Sequence, residues 1–442
     1  MEPFKGRLMP KEDFHLLSSS RVSELGLKTR AAVGKATDVR SRVVFCAVSA
    51  SAIMPGGAGG RVKEVPMRSW VRTWAVGLVW CVVLAAVSTA GAQVRGVPGW
   101  DRDAATDYLD SRQAWWMDWP TAARDHGTFC VSCHTATPYA LGRTELRSPS
   151  SPGLVEQRLL TNVERRVMAW NEIEPFYSDE QFRPGKTAEA RGSEAILNAL
   201  ILANRDATAG SFSEITRQAF DNLWALQVTS GPTEGAWPWL DFQLEPWETA
   251  AAQYYGAALA AIAVGVVPEH YAVVPENRTR VARLGKYLQS NADSQHLFNR
   301  LTALWASATL PDTLTSEQRW AIVDETMCIQ REDGGWSLAS LGMFERRDAT
   351  PLDTESDGYA TGIVTYVLQL SGLVIGDPRV DRGLVWLRTN QAEDGSWPAS
   401  SLNFDREPTS DRGRFMRDAA TAYAVLALTR AERGEREAAA RR

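Results

Sequence analysis

The chain has 442 residues, 44% of them hydrophobic and 23% charged, enough apolar material for two or three domains with sizeable cores, which excludes disorder throughout. A formal net charge of -5, spread without basic blocks, excludes the electrostatic footprint of a nucleic-acid-binding protein. Seventeen tryptophans point either to a repeated motif built on indoles or to an aromatic-lined cavity.

Residues 1–66 read as an over-extended start, because the first processing signal opens at Met67. Arg68 and Arg72 precede an apolar run from Trp74 to Val87, and Ala90-Gly91-Ala92 forms an A-x-A cleavage site, so residues 67–92 read as a secretory signal peptide and the mature chain as beginning at Gln93. The alternative is an uncleaved anchor, since the uncharged stretch 73–94 is just long enough to cross a bilayer. Trp80 before Cys81 rules out a lipobox. The expected location is periplasmic or otherwise exported, and Cys130, Cys133 and Cys328 are the cysteines that remain.

In the segment 93–150, Cys130-Val131-Ser132-Cys133-His134 is a C-x-x-C-H pentapeptide. Two residues between thiols let both sulfurs meet adjacent haem vinyl groups, and the following imidazole is carried beneath the iron. Zinc would need a second ligand pair, and a thioredoxin-type disulfide a βαβ context, neither of which the sequence provides. The expectation is therefore covalent haem c on Cys130 and Cys133 with His134 as axial ligand. Met168, Met117 and His126 are the nearest candidates for the distal position. The stretch resembles the haem-binding segment of c-type cytochromes over little more than these five residues.

From residue 151 to 431 an internal repeat takes over. Arg382–Trp397 laid over Arg319–Trp336 aligns Gln391 with Gln330, Asp394 with Asp333, Gly395 with Gly334 and Trp397 with Trp336, and Phe220–Trp237 is a third copy with an insertion. In each, a helix ends near the glutamine, a turn follows, and the tryptophan after the glycine stacks back while the glutamine amide ties down a free helix end. Apolar, alanine-rich stretches at 192–206, 247–265, 357–372 and 417–431 read as the buried inner helix of each unit. Residues 280–310 look like a degenerate copy. Five helical hairpins result, forming an all-α toroid of five or six pairs, and residues 432–442 read as a charged tail.

The copy at Arg382–Trp397 fits [KR]-[GA]-x-x-[FYW]-[LIV]-x-x-x-Q-x-x-x-G-x-W at every defined position, which resembles the QW motif of squalene-hopene cyclases and related triterpene cyclases. That resemblance implies an α/α toroid around a pocket for an apolar molecule such as an isoprenoid. The D-x-D-D acid of those cyclases is missing. At its place stands Glu355-Ser356-Asp357-Gly358, with Asp353 upstream, and Glu194, Glu248 and Asp418 open the other inner helices. An acid in a first helical turn is favoured by capping and the macrodipole, yet helices of one polarity would also gather Glu194, Glu248, Asp357 and Asp418 around one mouth, which makes these four and Asp353 the candidate catalytic acids. The combined expectation is an exported haem protein with an electron-transfer or redox role and a redox partner. The alternatives are a cyclase-like isomerase or a non-catalytic binding scaffold. Cys328 reads as a buried small hydrophobe.

Overall fold

The computed structural model describes residues 99–147, 152–374 and 376–441. The expected start and signal segments, 1–66 and 67–92, lie outside them. Val97–Arg442 form one compact unit.

Twelve α-helices of the described residues alternate between two concentric layers. The outer layer is α1 (Arg102–Asp118), α3 (Leu154–Met168), α5 (Glu214–Ala225), α7 (Pro275–Asn291), α9 (Ser316–Cys328) and α11 (Pro378–Thr389). The inner layer is α2 (Ala136–Glu145), α4 (Lys186–Ala209), α6 (Ala252–Val266), α8 (Leu297–Thr309), α10 (Gly358–Ser371) and α12 (Phe415–Ala440). Inner helices pack in the order α2, α4, α6, α8, α10, α12 and back to α2. The ring is closed and has six hairpins, and residues 280–310 supply the fourth (α7 and α8).

The first hairpin corrects the sequence expectation of a separate N-terminal segment. Helices α1 and α2, from the stretch read as a haem-binding appendage, are a full outer and inner pair of the toroid. Their sequence hides this because α2 is only ten residues long and carries no glutamine-tryptophan turn. The C-terminal stretch 432–442 continues α12 as far as Ala440.

The repeat has a direct physical reading. Each motif tryptophan donates its indole N–H to a carbonyl near the end of its own outer helix: Trp237 to Leu223 at 2.7 Å, Trp336 to Thr326 at 2.8 Å and Trp397 to Leu387 at 2.7 Å. Orphan carbonyls of a helix C-terminus are thereby satisfied in a buried place. Each motif glutamine donates both to its own turn and to the next outer helix. Gln227 reaches Gly235 and Arg280, and Gln330 reaches Gly334 and Arg379. Gln391 reaches Gly395 and the carbonyl of Asp101, which caps α1. The last repeat thus grips the first helix, and the ring closes through the same device that links its members.

Candidate functional site

Because outer and inner helices alternate, every connection from an outer to an inner helix emerges on one face of the ring. Four of these connections build the site. Between α1 and α2 run Cys130, Cys133, His134 and Thr135; between α5 and α6, Trp247 and Glu248; between α9 and α10, Asp357; and α12 opens with Phe415. The C-x-x-C-H stretch therefore introduces an inner helix and faces its counterparts in the other hairpins.

Backbone geometry holds Glu248 firmly. Its N–H donates to Leu244 at 2.8 Å, and its carbonyl accepts from Phe242 and Leu244 at 2.9 Å each. Neighbouring Trp247 accepts from the Trp239 indole at 2.7 Å and donates its own indole N–H to the Tyr359 hydroxyl at 2.9 Å. Asn403 pins the same loop from another connection, accepting from Glu245 N at 2.7 Å and donating to Glu245 O at 2.6 Å. The Glu248 carboxylate itself has no hydrogen-bond partner among the described residues. It lies deep yet keeps part of its surface accessible. Burial pushes its pKa up to about 7, against a smaller downward pull from the Lys186 charge.

Asp357 is the N-cap of α10, accepting from Ala360 N at 2.8 Å and from Leu338 N. Burial raises its pKa to about 7, although these backbone donors and that of Tyr359 pull it down. Asp353 lies outward, 63% exposed and 3.1 Å from Arg346.

Glu194 and Asp418 have different surroundings. Glu194 sits two turns into α4, because that helix begins at Lys186, earlier than the apolar stretch suggests. It is fully buried and paired with Arg166 at 2.5 and 3.1 Å. Asp418, in the first turn of α12, accepts from Arg112 Nε at 2.8 Å and Nη2 at 3.2 Å, from Tyr108 at 2.9 Å and from Thr135 at 2.7 Å. Burial pushes both carboxyls up while their arginine partners pull them down. Of the five acids, Glu194 and Asp418 are thus committed to buried ion pairs and Asp353 to an exposed one, Asp357 caps α10, and Glu248 alone has no partner for its carboxylate among the described residues.

His134 is enclosed by aromatic rings: Phe415 stacks on it at 3.8 Å, Trp116 meets it edge-on at 4.8 Å, and Trp247 lies at 6.2 Å. Its Nδ1 is 2.8 Å from the Thr135 hydroxyl. Burial first and the Arg112 charge second lower its pKa to about 3, so the imidazole is neutral. Cys130 and Cys133 are buried free thiols. Burial raises the first to about 11 and the second well above the ordinary range, with Glu248 adding to both. Deeper still, Tyr359 stacks on Tyr423 at 5.2 Å and meets Phe298 edge-on at 5.8 Å. Met117 is buried on α1, Met168 is 63% exposed at the end of α3, and His126 is exposed with its ring 3.0 Å from Asp125. Cys328 is exposed on α9, not buried.

Trp247, Thr135, Tyr359 and Phe415 are the site residues that motif reading passes over. Trp247, directly before Glu248, carries the one local signal. Nothing in spacing links Thr135 to Asp418. Among the described residues, no group of three or more His, Cys, Asp or Glu side chains is arranged to hold a metal ion.

No family model and no curated protein matches the chain. Among solved structures, a glycosidase is similar over 75% of this chain and 98% of its own, at 11% identity and a TM-score of 0.43. The unsaturated glucuronyl hydrolase of Bacillus sp. GL1 is similar over 75% and 96%, at 13% identity and a TM-score of 0.44. These are glycosidases, a different family from the triterpene cyclases, and the expected cyclase kinship is corrected on that finding. The expected function is corrected with it: the electron-transfer or redox haem protein, its cyclase-like and scaffold alternatives, and the attributes of haem and iron binding. In this chain the glutamine-tryptophan turn ties down helix ends in three of the six hairpins, so the motif marks an architecture and carries no chemistry of its own.

Proposed function

We propose that the protein is an acid–base hydrolase acting on acetal, that is glycosidic, bonds of a neutral carbohydrate, with Glu248 as the proton donor and Asp357 as the second carboxylate. The observation that carries this reading is Glu248: an unpartnered carboxylate beside Trp247, held by a rigid loop, with a pKa of about 7. Cleaving an acetal requires protonation of a poor leaving oxygen, and an acid that keeps its proton near neutrality is suited to that task. Asp357, on another connection and also raised to about 7, retains a carboxylate fraction at neutral pH that would serve as base or nucleophile. Half-buried Phe415 provides apolar surface for the C–H face of a sugar ring, with buried Trp247 beneath the site. Arg112 and Arg166 are spent on Asp418 and Glu194, so neither is left to bind an anionic substrate.

The test is reducing-sugar release from a panel of neutral oligosaccharides. Glu248→Gln and Asp357→Asn are each expected to lower kcat/KM by about 100-fold or more with the helical circular dichroism unchanged. Full activity in both variants would sink the reading.

A further inference from the structure

Thr135 joins two groups that the chain keeps 284 positions apart: His134 and Asp418. Its hydroxyl is 2.7 Å from Asp418 Oδ2 and 2.8 Å from His134 Nδ1. A hydroxyl has one proton to donate. Asp418 takes the Arg112 fork on both oxygens, and Tyr108 donates to Oδ1 as well. An ionised carboxylate only accepts, so the Thr135 proton goes to Asp418. The hydroxyl then has only lone pairs to offer His134, and Nδ1 must carry the hydrogen.

The opposite ring nitrogen, Nε2, has no partner among the described residues, and His134 keeps part of its surface accessible although aromatic rings surround it. Of the side chains at the site, the carboxylic acid of Glu248 donates, and an imidazole with a bare nitrogen accepts. We infer that Thr135 and Asp418 hold His134 as the tautomer with hydrogen on Nδ1, so that Nε2 stands as a fixed acceptor for one hydroxyl group of the substrate. Thr135 and Asp418 are positioning residues in this scheme, and His134 is the contact that reads the substrate. The assignment of a carbohydrate hydroxyl rests on the glycosidic reading above; the tautomer does not.

The experiment separates the two. In full-length protein labelled with 15N-histidine, the His134 ring signals, identified by their loss in His134→Gln, are expected to show a protonated Nδ1 and a bare Nε2. Thr135→Val, which keeps the shape and removes the hydroxyl, is expected to convert His134 to a mixture or to the Nε2-protonated form, and Thr135→Ser to restore the original pattern. A protonated Nε2 in the unaltered protein, or no change in Thr135→Val, overturns the relay whatever the enzyme hydrolyses. On an oligosaccharide that the protein cleaves, Thr135→Val is expected to raise KM up to about tenfold, the worth of one neutral hydrogen bond, with a smaller effect on kcat. An unchanged KM with a shifted tautomer overturns the hydroxyl contact and leaves the relay standing. Absence of all hydrolysis, with the tautomer as expected, counts against the glycosidic reading and not against Thr135.

Discussion

Thr135, one residue before the first inner helix, and Asp418, in the first turn of the last, share a 2.7 Å hydrogen bond across the seam where the toroid closes. Asp418 also accepts from Arg112 and Tyr108 of the first outer helix. One carboxylate therefore fastens both helices of the first hairpin to the last. Asp418→Ala leaves the buried Arg112 guanidinium without its main partner, and is expected to destabilise the protein by about 3–5 kcal/mol in urea unfolding. Thr135→Val removes one hydrogen bond and is expected to cost about 1–2 kcal/mol. Equal, small losses in both would mean that the seam is held elsewhere.

Gly395 tests closure at another point of the same interface. Its φ is 83°, in the left-handed region, and a Cβ there would lie 2.2 Å from the carbonyl carbon and oxygen of Ala104 on α1. Backbone cannot yield as a flexible side chain can. Gly395→Ala is expected to lower stability by more than about 2 kcal/mol, whereas Gly434→Ala, with nothing within 4 Å, is expected to be neutral or slightly stabilising. Thermal unfolding of the two variants beside the unaltered protein checks the contrast.

Glu248 predicts opposite signs for stability and activity. Its folded pKa of about 7 lies above the ordinary glutamate value of 4.5, so the folded chain binds this proton more tightly than the unfolded chain. Burial of the ionised carboxylate is therefore a penalty, present in full above pH 7 and relieved as pH falls from 7 toward 4.5. Glu248→Gln is expected to be more stable than the unaltered protein at pH 8 by about 1–3 kcal/mol, the gap shrinking to nothing near pH 4.5, while catalysis is lost. Turnover by the unaltered protein should decline on the alkaline side of about pH 7 as the donor loses its proton. Denaturation curves at both pH values, read with a pH–rate profile, decide the point.

Cys130 and Cys133 are 6% and 5% exposed with pKa values raised by burial. Neither is expected to react with iodoacetamide in the folded protein at pH 8, because both access and thiolate are lacking. Rapid labelling of either in the native state, followed by peptide mapping, would show that this part of the site opens to solvent.

The sequence by itself carried the all-α class, the alternation of helices and the glutamine-tryptophan turn, because these rest on local matters: 3.6-residue periodicity, helix ends that need satisfying, and glycines at positive φ. Residue patterns also put Glu248 and Asp357 on a list of five acids at the inner helices, with Glu194, Asp353 and Asp418. They could not rank them, since an acid before a helix looks the same whether it caps, pairs or faces a site. Ranking needed Arg166 beside Glu194, Arg112 beside Asp418 and Arg346 beside Asp353, partners brought in from other hairpins. The C-x-x-C-H stretch shows the same limit. Its spacing describes what the five residues can reach alone, while its place at the head of the first inner helix depends on Gln391 meeting Asp101 some 290 positions away. Ring closure is a contact between the two ends of the described chain, and no local propensity records it, so only the tertiary structure decided which residues share the face of the ring.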